Sequence, residues 1–204
     1  MTGPEPPAGS RPERPIVLAS GSPRRRQLLE MLGIPFRVMA PDVDERVLPG
    51  EGPEAYVTRL SRAKAEAVTP RAPGDLILAA DTTVVLEGEI FGKPASPAEA
   101  VEMLLRLQGR THDVMTAVAV ARDGRLEQAL DVSRVTFRRA DRETLEAYAA
   151  TGEPLDKAGA YAIQGLGAAL IERVEGDFFG VMGLPLRLAL ELLARFGRPY
   201  RFTR

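Results

Sequence analysis

The chain has 204 residues, no cysteine and a single histidine, His112. The absence of cysteine excludes disulfides, thiolate catalysis and cysteine-ligated zinc, and it is compatible with a reduced compartment. With one histidine, histidine-rich metal sites and triads with a histidine base are disfavoured. We therefore expect a cytoplasmic protein in which His112 is a structural residue and not a catalytic one.

The chain also lacks a strong net charge and any long apolar run. Its formal net charge is −1, so no global field would hold nucleic acid or an anionic membrane, and any anion site must be local. No segment approaches the roughly 18 apolar residues that cross a bilayer. Residues 1–14 are rich in proline, glycine and charge and lack an apolar signal core, which predicts a disordered tail. We expect neither a nucleic-acid nor a membrane partner.

The residues that are present predict an α/β protein with a mixed sheet. Because 45% of the residues are hydrophobic, a chain of this length can bury a substantial core. We expect one two-lobed domain over residues 15–204. Apolar spacing and turn signals predict strands over residues 16–19, 36–40, 75–86, 111–121, 126–137 and 168–174, a short apolar strand ending at Gln164, and helices from residue 23 and over 53–68, 97–107, 141–151 and 185–196.

Three arginines, Arg24, Arg25 and Arg26, stand in the first turn of the first predicted helix. Cations there are unfavourable by roughly 0.3–1 kcal/mol each unless an anion compensates them. The preceding strand, the turn at Gly21 and the unpaired N–H groups of the helix start complete a typical phosphate-binding arrangement. We therefore expect a phosphate group at this helix.

The helical period separates these arginines into two sets. Arg24 and Arg25 lie four residues before Leu28 and Leu29, which places them on the face turned towards the core and its cleft. Arg26 precedes Glu30 by four residues, and this spacing predicts an ion pair in solvent.

Four other polar residues stand out as candidates. Asp81 interrupts an apolar strand, where a carboxylate is costly unless it is paired or binds metal; a purely structural ion pair stays open. Lys64 borders the predicted buried stripe of the helix over 53–68, formed by Tyr56, Leu60, Ala63 and Ala67. Lys93 lies in a Gly-Lys-Pro loop and is a phosphate ligand or a solvated lysine. Gln164 can donate and accept at a nucleobase edge or satisfy a turn.

Two familiar nucleotide motifs are not matched. The segment from Gly88 to Pro94 has the wrong glycine spacing for a P-loop, and Pro94 replaces the hydroxyl residue that would ligand Mg²⁺. The segment that begins at Gly165 lacks the third glycine of a dinucleotide fingerprint. Both of those folds are disfavoured.

Taken in order, several motifs resemble those of the Maf family of nucleoside triphosphate pyrophosphatases, over about residues 16–196. The resemblance implies a fold like that of the inosine triphosphatases, with a cleft between two lobes. It also implies hydrolysis of a nucleoside triphosphate to the monophosphate and pyrophosphate with a divalent cation, Mg²⁺ or Mn²⁺. The motifs that carry it are Leu18-Ala19-Ser20-Gly21-Ser22-Pro23-Arg24-Arg25, Ala80-Asp81-Thr82, Gly92-Lys93-Pro94, Asp156-Lys157-Ala158-Gly159-Ala160-Tyr161 and Gly183-Leu184-Pro185.

The resemblance also implies roles for individual residues. Asp81 falls on the catalytic aspartate, usually the proton acceptor, and Glu45 with Asp81 would suffice to hold the metal. Which of the two roles Asp81 has stays open. Arg24, Thr82 and Gln164 resemble the branch that acts on dTTP and UTP more than the branch that acts on 7-methyl-GTP. The implied substrate-binding and specificity residues are Ser20, Arg24, Arg25, Lys64, Thr82, Lys93 and Gln164.

Two other functions remain as alternatives. The chain could be a regulator of cell division that binds a nucleotide without turnover, although a pure binder has no need of a buried base. Direct nucleic-acid binding is disfavoured by the near-zero net charge and the lack of a basic strand with interleaved aromatic residues. The sequence leaves a homodimer open.

Overall fold

A computed structural model describes residues 15–202 as a seven-stranded mixed sheet flanked by helices. This confirms the predicted fold class. The predicted tail over residues 1–14 lies outside the described residues. The strands are β1 (Ile16–Ala19), β2 (Phe36–Val38), β3 (Ile77–Leu86), β4 (Glu89–Phe91), β5 (Thr111–Arg122), β6 (Arg125–Phe137) and β7 (Ile171–Glu175). The helices are α1 (Pro23–Met31), α2 (Pro53–Val68), α3 (Pro97–Leu107), α4 (Arg142–Ala150), α5 (Phe178–Met182) and α6 (Leu186–Arg195).

The sheet has the strand order β2-β1-β3-β5-β6-β7, and β4 pairs with the end of β3. β1 lies parallel to both β2 and β3, whereas β3, β5, β6 and β7 pair antiparallel to one another in turn. The hairpin of β5 and β6 turns at Asp123 and Gly124, which both adopt positive φ, as the turn signal predicted. β3 is therefore central, and Asp81 in its middle pairs with Ala117 of β5.

Two core clusters lie at the two ends of β3. The cluster beside the first half of the strand includes Leu78 and packs α1 and α6 against the sheet. The cluster beside the second half includes Val84 and packs α3 and α4. Asp81 falls between these clusters, so the sheet provides a polar position where the two apolar cores end.

The predicted buried stripe of α2 is wrong by about one residue. Only Leu60 of its four members is buried, whereas Tyr56, Ala63 and Ala67 are half-buried. The hydroxyl of Tyr56 donates to the carbonyl of Glu45 at 3.0 Å in an exposed contact, so this ring is not enclosed by the core. The buried residues are Val57, Leu60, Ser61, Lys64, Ala65 and Val68.

The predicted short strand ending at Gln164 is also wrong, and β7 begins three residues later than the predicted strand over 168–174. Residues 161–165 are irregular and Leu166–Leu170 form a 3₁₀ turn. Within the segment that ends at Gln164, the backbone N–H of Ala162 donates to the hydroxyl of Tyr148 at 3.3 Å, so it is not available to a strand partner.

Candidate active site

A cleft of about 450 Å³ opens where the two core clusters meet at the middle of β3. Its size is typical of sites for small organic ligands. The structure brings every predicted site residue to this cleft, from sequence positions up to 144 apart (164 − 20). These residues are Ser20, Arg24, Arg25, Glu45, Lys64, Asp81, Thr82, Lys93 and Gln164.

Lys64 joins two carboxylates at the floor of the cleft. Its Nζ lies 2.5 Å from Oδ1 of Asp81 and 2.6 Å from Oε1 of Glu45. Lys64 and Asp81 are 7% and 6% exposed, whereas the Glu45 side chain is 45% exposed. Oδ2 of Asp81 accepts no hydrogen bond from the residues that the structure describes, so it is available to a molecule in the cleft.

The two carboxylates have pKa values displaced in opposite directions. Burial raises the pKa of Asp81, and the charges of Lys64 and Arg25 oppose that shift without cancelling it. Partial burial also acts to raise the pKa of Glu45, but its hydrogen bond to Lys64 and the charges of Lys64, Lys93 and Arg25 outweigh this and lower the pKa. Paired carboxyl groups with diverging pKa values are typical of sites that move protons.

Arg25 connects three parts of the cleft wall. Its Nε donates to the carbonyl of Gly183 at 2.7 Å, and its two terminal nitrogens donate to Oγ of Ser20 at 3.2 Å and Oγ1 of Thr82 at 3.1 Å. These contacts use three of the five N–H groups of a guanidinium. Oγ of Ser20 also accepts from the backbone N–H of Ser22, so the Ser20 hydroxyl proton is available to the cleft.

Arg24 lies at the mouth of the cleft and pairs with Asp156 at 3.1 Å. The structure thus places a carboxylate beside the cationic start of α1, where we expected an anion. Ser22 occupies the N-cap position, but its side chain makes no capping hydrogen bond. The predicted ion pair between Arg26 and Glu30 is wrong: both residues are described and exposed, and they make no such contact. An exposed pair of this kind contributes at most about 1 kcal/mol, so the spacing alone does not require it to form.

Lys93 and Gln164 lie on two different loops that line the cleft, and each presents a polar group to it. Lys93 is exposed, and its ammonium makes no ion pair with any residue in the described part of the chain. The loop that bears it is held by a hydrogen bond from the N–H of Gly159 to the carbonyl of Gly92, at 3.1 Å. Oε1 of Gln164 is buried and has no hydrogen-bond partner among residues 15–202.

Comparison with known proteins identifies the family. Residues 15–196 match the Maf-like protein family. The chain belongs to the Maf family. It is 56% identical over 185 residues to the dTTP/UTP pyrophosphatase of Myxococcus xanthus, which covers 90% of this chain and 93% of the relative. It is 49% identical over 184 residues to the dTTP/UTP pyrophosphatase of Symbiobacterium thermophilum, covering 90% of this chain and 95% of that one.

The fold is shared more widely than the Maf sequence pattern. A solved structure of the Ham1 protein of Staphylococcus aureus superposes with a TM-score of 0.52 at 17% identity, covering 90% of this chain and 97% of that chain. The resemblance predicted from the motifs is thus confirmed for the family and for the fold.

Among the cleft residues of this Maf chain, Tyr56, Asp156 and Lys157 are polar groups to which the sequence analysis assigns no role there. Tyr56 lines the cleft, and burial together with the charges of Asp81 and Glu45 raises its pKa to about 12. Asp156 and Lys157 also line it, and Lys157 donates to Oδ1 of Asp156 at 2.5 Å. The motif that includes Asp156 and Lys157 was a usable signal, whereas Tyr56 fitted a helical core pattern and carried none.

His112 is structural, as predicted. Its ring is 2% exposed, lies outside the cleft lining and packs edge-on against Phe137 and Tyr161. Nε2 lies 2.8 Å from the hydroxyl of Tyr161. Burial lowers the pKa of His112 to about 4, so the ring is neutral at physiological pH.

The donors in this Maf cleft suit a divalent metal that is shared with a phosphate ligand. Within residues 15–202 no group of three or more histidine, aspartate or glutamate side chains would enclose a metal alone. Mg²⁺, however, commonly uses one or two carboxylates and completes its shell with water and phosphate oxygens. Glu45 and Asp81 fit that requirement, since both already converge on one cation, Lys64.

Among the helices that the structure describes, none is both long and apolar enough to cross a membrane.

Proposed function

We propose that this chain hydrolyses dTTP and UTP to the monophosphate and pyrophosphate in the cleft at the middle of β3. The observation that carries the proposal is the pair Asp81 and Glu45, which share Lys64 while their pKa values diverge. This pair lies in a cleft that also presents Arg24 and Lys93. The printed names of relatives near 50% identity, which cover most of the chain, support the same activity.

The cations of the cleft bind the triphosphate. Lys93 offers an ammonium without an ion-pair partner in the described residues, and Arg24 exchanges the exposed carboxylate of Asp156 for a phosphate oxygen. The hydroxyl proton of Ser20 and the remaining N–H groups of Arg25 face the same space. Fixed donors aimed at developing charge in a partly enclosed site stabilise a phosphoryl-transfer transition state more than mobile water does.

Asp81 activates the attacking water. Lys64 holds Oδ1, so Oδ2 is left to orient a water and accept its proton as the water oxygen bonds to the α-phosphorus. The bond from the α-phosphorus to the bridging oxygen breaks, and pyrophosphate leaves with that oxygen. Glu45, with or without Asp81, would hold a Mg²⁺ or Mn²⁺ ion, which would supply charge neutralisation for the leaving group.

Gln164 accounts for the choice of base. Its Oε1 is a buried acceptor without a partner in the described residues, and leaving such a group unsatisfied costs about 1–3 kcal/mol. Uracil and thymine carry an N–H donor between two carbonyls, which matches an amide that accepts through Oε1 and donates through its nitrogen. Cytosine has an acceptor at that ring position and carries its donor on the exocyclic N4 amino group, so it can satisfy Oε1 only from a shifted position in the cleft.

The test is to measure pyrophosphate release from a panel of triphosphates with Mg²⁺ or Mn²⁺. We expect turnover of dTTP and UTP, slower turnover of CTP, GTP and 7-methyl-GTP, and a loss of about 10²–10⁴-fold in kcat for Asp81→Asn, as for a general base. Asp123→Asn, in the exposed turn between β5 and β6, is the matched control and should retain full activity.

Other results of this panel assign other functions. If every triphosphate stays intact with either metal, the proposed activity is wrong. Saturable binding of UTP without pyrophosphate release would instead support a nucleotide-binding regulator. Preferred hydrolysis of 7-methyl-GTP would assign the chain to the other branch.

A further inference from the structure

Glu153 does not line the cleft, but it accepts several hydrogen bonds from residues close to it. Its Oε1 accepts from the hydroxyl of Tyr148 and from the backbone N–H of Gly167, both at 2.8 Å. Its Oε2 accepts from the backbone N–H of Leu166 at 3.0 Å. The Glu153 carbonyl also accepts from Nζ of Lys157 at 2.6 Å. Glu153 thus contacts both ends of the segment that returns from Lys157 to Leu166, the first through its backbone carbonyl and the second through its carboxylate.

The segment is wrapped closely around this carboxylate. Gly165 has φ of 83°, and a Cβ there would lie 2.5 Å from Oε2 of Glu153. At Gly167 a Cβ would meet the Ala162 carbonyl and the Tyr148 hydroxyl, each at 2.5 Å. Two consecutive backbone donors and two close glycine approaches therefore fix the backbone that follows Gln164.

Gln164 lies directly before this anchored turn and faces the cleft. Its buried Oε1 has no hydrogen-bond partner among the described residues, so no such bond sets its position. The backbone therefore contributes to where that oxygen points, and the carboxylate of Glu153 anchors the backbone two and three residues further on.

We propose that Glu153 is the positioning residue for base recognition and acts through Gln164. The inference rests on the proposed function, because it assigns Gln164 to the nucleobase. Glu153 touches neither the phosphates nor the reacting atoms. It determines where the amide of Gln164 meets the base edge, and so it controls KM and base preference while the chemical step at Asp81 is unaffected.

The ionised carboxylate is the form that this role requires. Burial acts to raise the pKa of Glu153, but hydrogen bonds from Gly167, Leu166 and Tyr148 outweigh it and lower the pKa. All three contacts use Glu153 as an acceptor, whereas a glutamine would present an NH₂ to one of them. Glu153→Gln therefore sets a donor against a donor in a packed turn, with almost no change in volume.

The test compares Glu153→Gln with Glu143→Gln, the same change at an exposed site on α4. For Glu153→Gln we expect the KM for UTP to rise about 10-fold, which corresponds to the loss of one well-placed hydrogen bond. We expect kcat to stay within about twofold and the UTP to CTP preference in kcat/KM to fall in proportion. Glu143→Gln should match the wild type in all three.

A double-mutant cycle with Gln164→Ala decides whether the effect passes through Gln164. In the Gln164→Ala background, Glu153→Gln should change KM by less than about twofold, because the effects of residues that are coupled through a shared backbone segment are not additive. Tyr148→Phe removes one of the three donors and should raise KM by about threefold in the same direction. If Glu153→Gln does not fold, the effect of Tyr148→Phe on KM tests the proposal in its place.

Two outcomes overturn the proposal. One is a fall in kcat for all nucleotides at unchanged KM, which is the result expected if the variant preparation only contains less folded, active protein. The other is full additivity with Gln164→Ala, which would mean that Glu153 acts elsewhere. Failure of the proposed function is distinct, since the wild-type chain would then hydrolyse no UTP or Gln164→Ala would leave the base preference unchanged.

Discussion

At the scale of single residues, Asp81 has an energetically costly position. It lies in the middle of a buried strand, and burial raises its pKa even though Lys64 is 2.5 Å away. The folded protein therefore prefers the protonated form more than an unfolded chain does. A group that is destabilising in its ionised form is typical of active sites, where stability is exchanged for reactivity.

This position makes a prediction about stability and pH. Because the folded pKa of Asp81 lies above the unfolded value, the ionised carboxylate opposes folding above that raised pKa, and the cost disappears as pH falls towards the ordinary value of 3.8. Asp81→Asn mimics the protonated form. We expect this variant to be inactive yet at least as stable as the wild type at pH 7, with its advantage shrinking towards pH 4.5, as measured by urea unfolding.

The comparison has a clear opposite result. A variant that is less stable than the wild type at pH 7 would mean that the contact with Lys64 stabilises the ion more than burial destabilises it. Asp123→Asn, in a solvent-exposed turn, should show no such dependence over the same range.

At the scale of elements, the side of the cleft that bears Lys93 and Gln164 is positioned by short turns and not by the long strands. The 3₁₀ turn Ala158–Ala160 packs against β3 through Gly159, which has φ of 68°. A Cβ on Gly159 would lie 2.9 Å from Cβ of Val84 and 2.8 Å from its Cγ2. The same glycine donates to Gly92, so one close approach holds both the loop of Lys93 and the start of the segment that leads to Gln164.

We predict that Gly159→Ala destabilises the protein by about 2–4 kcal/mol, because left-handed strain and overpacking add. Gly88→Ala is the matched control: Gly88 has φ of 83°, but nothing lies within 4 Å of an added Cβ. It should lose only about 1 kcal/mol from backbone strain. Urea unfolding of both variants separates the two contributions, and equal losses would contradict the packing argument.

At the scale of the whole molecule, the cleft lies at the middle of β3, between the core cluster that includes Leu78 and the one that includes Val84. Arg25 crosses this boundary and ties the start of α1 to β3 and to the carbonyl of Gly183 before α6. Arg24 and Asp156 form a second, exposed connection at the mouth. A triphosphate and metal that bridge the same groups should therefore stabilise the whole fold.

We predict that Mg²⁺ with UTP raises the Tm of the inactive Asp81→Asn variant. At a ligand concentration 100 times Kd, the gain is about 2.7 kcal/mol, or roughly 5–10 °C for a chain of this size. Removal of the metal with EDTA should abolish most of the Tm shift, and uridine without phosphates should produce almost no shift. A shift that is independent of metal would indicate that Asp81, absent from this variant, is the metal ligand.

Much of the fold was predictable because its signals are local. Proline at the helix starts predicted α2 and α3 within one or two residues. The Asp123-Gly124 turn predicted the long hairpin, and the apolar run predicted β3, with the same accuracy. The prediction failed at the buried stripe of α2 and before Gln164. There, the hydroxyls of Tyr56 and Tyr148 form hydrogen bonds with distant backbone groups, which no local pattern reports.

The sequence by itself determined the chemistry that is available: no thiol, one histidine, and motifs with Asp81, the lysines and the arginines in an order that resembles the Maf family. Only the tertiary structure decided how those groups are used. It gave Lys64 two carboxylate partners, made Arg25 a connection between cleft walls, and placed Asp156 against Arg24. The reason is physical: pKa values and hydrogen bonds depend on burial and on neighbours distant in sequence, which are defined only once the sheet has formed.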